Sequence, residues 1–281
     1  GKAIEVFTRP DRVVVGVDGE ANRARLAEIW EPFQAKVVWM SVASAEMTKH
    51  ALNAFLATSV VFINEIAALC EQVGADAAEV EKGLKSDVRI GARAYLHPGG
   101  AFAGGTLARD LQFLRRIAGS RGLEVPLLAG VKKSNDEHKK WMQRSIKAVV
   151  SDFRAARVAL LGLTYKPGTD TLRRSSAIET ALWLSRQGAD VQAHDPGLRA
   201  LPPHLRPSIT LRSSPLEALA GADLAVVATE WPEFRSITAD DLVERMRTAV
   251  VVDPVRHLED AVGQDARIRY YSIGRGHETY R

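Results

Sequence analysis

Three consecutive stretches decide the fold: "VALLGLTY" (158–165), "SAIETALWLSRQG" (176–188) and "DVQAHDP" (190–196). They read as strand, helix and strand. "DLAVVATE" (223–230) and "AVVVDP" (249–254) follow as two more apolar strands, and "YYSIG" (270–274) as another. Short apolar strands alternating with helices argue for a doubly wound parallel sheet. Asp195, at a strand end downstream of Gly162, mimics the ribose-binding acid of a dinucleotide fold. The turn "GLTYKPG" (162–168) nevertheless lacks G-x-G-x-x-G, so the phosphate-binding fingerprint is absent. Asp195-Pro196 therefore reads as a strand-ending turn.

Upstream, "SAEMTKHALNAFLATSVVFINEIAALCEQVG" (44–74) reads as one long helix with Glu46 in its first turn and Gly74 at its stop. It is apolar on nearly every face, which suits either a single buried core helix or a helix shared between its own domain and a second copy. Residues 76–150 read as further helices, with "HKKWMQRSIKAVV" (138–150) as a polar connector. Residues 1–40 hold two β-branched runs, "RVVVGVDG" (12–19) and "KVVWM" (36–40), that need a sheet to join. The expected divisions are 1–40, 41–150 and 151–281. The overall expectation is an α/β chain, with a long central dimerisation helix and a helical domain followed by a Rossmann-like doubly wound sheet domain.

Composition narrows the partners. The chain has 281 residues, enough for two cores, with 46% hydrophobic and 26% charged residues, ordinary soluble usage. A net charge of +4 is too small and too dispersed to indicate nucleic acid, and suits an anionic small ligand. Cys70 is the single cysteine, so an intrachain disulfide is impossible and a cytoplasmic setting is expected. No signal peptide or membrane span is read. No metal site is expected.

Three features can carry chemistry. Lys49 and Asn53, four apart on the long helix, share a face. "HPGGAFAGGTLARDL" (97–111) is a loop stripped to glycine and alanine that runs into a helix, leaving backbone amides open to a ligand. Its one hydroxyl is Thr106, and Asp110 follows. "YKPGTDTLRRS" (165–175) gathers Lys166, Arg173 and Arg174 at a Pro-Gly turn.

In this order the three features, with "DVRIG" (87–91), "VVATEWPEF" (226–234) and "YYSIGR" (270–275), resemble the UDP-glucose/GDP-mannose dehydrogenase family. The resemblance covers nearly the whole chain. "GKAIEVFTRPDRVVVGVD" (1–18) looks like the segment after that family's N-terminal NAD-binding domain, so the chain, which opens at Gly1, is expected to be the C-terminal two-thirds of such an enzyme. NAD would then be held by that absent domain. The resemblance implies that Lys49 and Asn53 stabilise oxyanion character at the sugar C6, and that Asp110 acts through a water as general base. It implies that Tyr95, Phe102 and the Gly99–Gly105 loop, including Gly104, cradle a UDP-sugar. Lys166 and, more loosely, Arg256 would contact the substrate, and Arg89 would reach a neighbouring subunit's site. A homodimer through the 44–74 helix is implied as well.

One departure stands out. The family's loop reads G-G-x-C-[FL]-P-K-D, with the cysteine as nucleophile. Aligned on Asp110, Thr106 stands at the cysteine position, Ala108 at the proline and Arg109 at the lysine. A thiol, with a reference pKa of about 8.5, supplies thiolate near neutral pH, whereas an alcohol needs a base. No histidine is close in sequence to act as that base. Thr106 lines the sugar pocket or caps the helix that follows; both readings stand. The expected activity is NAD-dependent oxidation of a UDP-sugar C6 hydroxyl toward the uronate. The alternative is a non-catalytic nucleotide-sugar-binding and dimerisation module. A 6-phosphogluconate-dehydrogenase-like helical domain is disfavoured by the sheet after Val158.

Overall fold

The computed structural model describes residues 3–102 and 105–276. They divide into two compact units, Gly1–Thr58 with Gly105–Leu128, and Ser59–Gly104 with Ala129–Arg281.

In the first unit, the two β-branched runs pair with each other. Strands β1 (Val13–Gly16) and β2 (Val37–Met40) lie parallel, Val13 opposite Val37 and Gly16 opposite Met40. The Glu20–Trp30 helix makes the crossover that parallel strands require. The Thr106–Ser120 helix also belongs to this unit.

The long helix is a single element of 32 residues, Val42–Val73. Ser41 precedes it, its hydroxyl accepting from the Ser44 amide at 3.2 Å. Gly74 ends it with φ +74°, and the Ala75 amide turns back to the Cys70 carbonyl at 3.1 Å. By length and composition alone this helix is long and apolar enough to cross a membrane, as the core helix of a globular protein can also be. Its polar side chains are nonetheless engaged within the protein: Asn64 is 2% exposed, and Glu71 accepts from the Trp141 indole and the Gly274 amide.

The second unit is built on six parallel strands, β3 (Arg157–Leu161), β4 (Asp190–His194), β5 (Thr210–Leu211), β6 (Leu224–Val227), β7 (Val250–Val252) and β8 (Arg269–Tyr271). Their order is β5-β4-β3-β6-β7-β8. Because side chains alternate along a strand, each strand serves two cores. Val158 and Leu160 pack with Trp183 and Leu184 of the Ser176–Gln187 helix and with Trp141 and Ile146. Ala159 and Leu161 face the opposite layer, with Leu219, Phe234 and Leu242. The chain is thus α/β, with a Rossmann-like doubly wound sheet, and the order reverses between β3 and β6.

Asp195 ends β4 and ties it to the turn after β3. Its Oδ2 accepts from the amides of Leu163 and Thr164 at 2.6 and 2.8 Å, from the Thr164 hydroxyl and from the Trp231 indole. With Oδ1 on the Gly197 amide, this 1% exposed carboxylate is consumed internally and is not offered to a ribose.

Candidate active site

In the first unit, three side chains of the long helix converge on one carboxylate of the next. Lys49 Nζ lies 2.7 Å from both oxygens of Asp110, Asn53 Nδ2 donates to Oδ2, and His50 Nδ1 stands 3.2 Å from Oδ1. Positions 49, 50 and 53 share one helix face, and Asp110, the fifth residue of the Thr106–Ser120 helix, points back at it. Asp110 is 5% exposed. Burial alone would raise its carboxyl, but the hydrogen bonds from Lys49, Asn53 and His50 outweigh that, so the group sits below the ordinary carboxylate value. The His50 ring packs on Phe113 with centroids 4.2 Å apart. An open cavity of about 710 Å³ adjoins the cluster, with Arg109, Arg115 and Arg116 adding positive charge to its wall. This arrangement holds a carboxylate ionised beside a cation and an amide donor, the equipment for moving a hydroxyl proton and steadying the oxygen left behind.

In the second unit, the glycine-rich loop is fixed by three side chains. Asn64 Oδ1 accepts from the Gly99 amide at 3.0 Å, and His138 Nε2 donates to the Gly99 carbonyl at 2.8 Å. Asn135 accepts from the Phe102 amide at 3.0 Å and donates to the Phe102 carbonyl at 2.9 Å. Burial lowers the His138 pKa, against the hydrogen bond to Gly99 and with help from Arg144. The neutral Nε2–H tautomer satisfies the carbonyl.

Beside the loop lies a crevice of about 680 Å³. Gly100 and Phe102 form part of its wall, as do Tyr165 and Lys166 after β3, Ala228 after β6 and Pro254 after β7. It therefore opens at the carboxyl ends of the strands, at the point where strand order reverses, the place where open α/β sheets bind ligands.

The other expected positions are more scattered. Thr106 is the exposed first residue of its helix, Gly105 is the N-cap, and no side-chain cap is made. The capping reading of Thr106 is therefore corrected: a side chain at the first helical position lies beyond the residue whose oxygen serves as cap. Arg256 is taken up by Asp76 at 2.8 Å and by Glu259. Arg89 grips Asp87 from the surface, and Tyr95 is exposed. Gly104 lies outside the described residues. Sequence reading missed His50, Asn64, Asn135 and His138. Of these only Asn64, alone in an apolar stretch, left a trace, since a buried amide needs a partner.

A family model described as "UDP-glucose/GDP-mannose dehydrogenase family, central domain" matches residues 43–137, and its "UDP binding domain" counterpart matches 159–260. A UDP-glucose 6-dehydrogenase of Rhizobium meliloti (strain 1021) is 40% identical across 98% of this chain, and one of Rickettsia prowazekii (strain Madrid E) is 34% identical across 98%. The chain spans 64% of the length of each. The solved UDP-glucose dehydrogenase of Pyrobaculum islandicum superposes with a TM-score of 0.80 at 29% identity, covering 98% of this chain and 61% of that one. The chain belongs to the UDP-glucose/GDP-mannose dehydrogenase family.

Proposed function

We propose that this chain forms the central and nucleotide-sugar-binding parts of an NAD-dependent, cytoplasmic dehydrogenase that oxidises the C6 hydroxyl of a UDP-sugar and works as a homodimer. The observation that carries the reading is the convergence of Lys49, His50 and Asn53 on Asp110 in a chain of this family. Asp110, kept ionised, receives the hydroxyl proton through a water. The Lys49 ammonium and the Asn53 amide balance the charge left on the oxygen. The crevice beside the Gly99–Phe102 loop receives the UDP portion, with Lys166 facing the phosphates.

The described residues do not fit a dinucleotide. The turn after β3 lacks the glycine fingerprint, and Asp195 is fully bonded. No step is therefore assigned to NAD within this chain.

Thr106 stands at the cysteine position, and among the described residues no base is hydrogen-bonded to its hydroxyl. Thr106 thus forms no covalent adduct, and oxidation stops after one hydride equivalent. Counting NADH formed per UDP-glucose consumed by the intact protein tests this. One NADH per sugar is expected, and two would restore the four-electron reaction. UDP-glucose binding without any NADH would favour the non-catalytic module, for which the missing cysteine is the supporting observation.

A further inference from the structure

Arg174 has a backbone conformation that an arginine does not choose by itself. Its φ is +61°, in the left-handed region, where a Cβ crowds the following carbonyl. Its neighbours enforce the turn. The Ser175 amide donates to the Leu172 carbonyl at 3.2 Å, and the Ser175 hydroxyl donates to the Leu163 carbonyl at 2.7 Å. That same hydroxyl accepts from the amides of Ala177 and Ile178. Ser175 is 3% exposed, so residue 174 is held against its preference by a buried anchor. Strain of this kind persists where the surroundings over-determine it, and it clusters at ligand sites.

The side chain so presented lines the same crevice as Lys166, Lys139 and the carboxylate of Glu179. Lys139 is already paired with Asp136 at 3.0 Å. Among the described residues, neither Arg174 nor Lys166 has an ion-pair partner, and Glu179 pairs with neither. A crevice with two unpaired cations, in the segment matched by the UDP binding domain, has charge for two phosphoryl groups. A guanidinium adds what an ammonium lacks, a planar fork that grips a phosphate through two N–H groups.

We propose that Arg174 is a specificity-determining residue that, with Lys166, clamps the two phosphates of a nucleoside diphosphate, so that the crevice selects diphosphates over monophosphates. The inference rests on the nucleotide-sugar reading above and adds to it the residue that counts phosphates.

Calorimetry on the 281-residue chain with UDP and with UMP tests it. Arg174→Gly is the variant of choice, because glycine adopts the left-handed turn without strain and removes only the cation. Losing a charge-assisted, bidentate phosphate contact should weaken UDP by roughly 10- to 100-fold while UMP changes by less than about threefold, which collapses the preference for UDP. Arg174→Lys, which keeps the charge without the fork, should fall between. An unchanged ratio of UDP to UMP affinity in Arg174→Gly overturns the inference and leaves the nucleotide-sugar reading intact. Equal weakening of both ligands also overturns it, since that marks a structural role. Failure of the unaltered chain to bind UDP sinks both.

Discussion

Asp110 concentrates the constraint at the scale of single residues. Lys49 is more than half exposed, so its Coulomb attraction is screened; the buried partner is the carboxylate, and its hydrogen bonds set the energetics. Since the folded group titrates below its ordinary value of 3.8, its stabilising contribution is fully present above that pH. It is lost as pH falls through the folded value. Asp110→Asn should therefore cost about 1–3 kcal/mol at pH 7, with the gap to the unaltered chain closing below about pH 4. Thermal melts across that range check it, and a gap independent of pH would contradict it. His138 follows the same sign. Its folded pKa lies below 6.5, so its contribution is intact above that pH and is lost on acidification. UDP affinity should hold above about pH 6.5 and fall only on acidification below it, and His138→Gln should flatten the dependence while keeping an N–H donor. An unaltered slope in that variant would place the titration elsewhere. Lys49, Asn53 and Asp110 were legible because spacing of four on a helix is a local rule, and the family motif marks the aspartate. His50 was not, since its role depends on a residue sixty positions away that only tertiary structure brings near. Asn135 and His138, in an ordinary polar run, were invisible for the same reason.

At the scale of elements, the parallel sheet was readable because each apolar run is bounded by turn residues and spaced for a helix between. What one sequence does not display is how the strand ends are locked. Gly162 follows β3 with φ +93°, and a Cβ there would stand 2.4 Å from the Thr229 Cβ and 2.8 Å from its amide nitrogen. The β3 and β6 ends can thus approach only through a bare α-carbon. That approach lets the Thr229 hydroxyl reach the Thr164 carbonyl at 2.7 Å and places the Trp231 indole over Asp195. Gly162→Ala should destabilise the fold by about 2–4 kcal/mol, combining left-handed strain with overpacking against backbone. Chemical denaturation measures it, and a loss below about 0.5 kcal/mol would show that the strand ends yield. Because Tyr165 and Lys166, which follow Thr164, and Ala228, which precedes Thr229, line the crevice, the same substitution should also weaken UDP.

On the scale of the whole molecule, the long helix raises the question of what covers it. Five of its exposed large apolar side chains fall on one line. Leu52, Phe55, Phe62, Leu69 and Val73 are spaced by three, seven, seven and four residues, which keeps them on one stripe of a helix. Phe55 is 68% exposed and Leu69 61% in a single chain. A 32-residue helix is about 48 Å long, so a self-complementary stripe of this kind can bury a large area across a two-fold axis. The apolar composition that would let this helix cross a membrane has the same origin, one face buried within the chain and another exposed. A dimer of this chain is the expected occupant, because polar residues on the other faces of the helix, among them Lys49 and Glu71, have partners within the protein and would be stranded in lipid. Sedimentation at low micromolar concentration should show a dimer, and Phe55→Lys with Phe62→Lys should give a monomer whose far-ultraviolet circular dichroism is unchanged. A monomer in the unaltered chain, or flotation with lipid vesicles, would overturn the assignment. The double variant separates a lost interface from a lost fold, since both phenylalanines lie on the exposed face and neither belongs to the buried core.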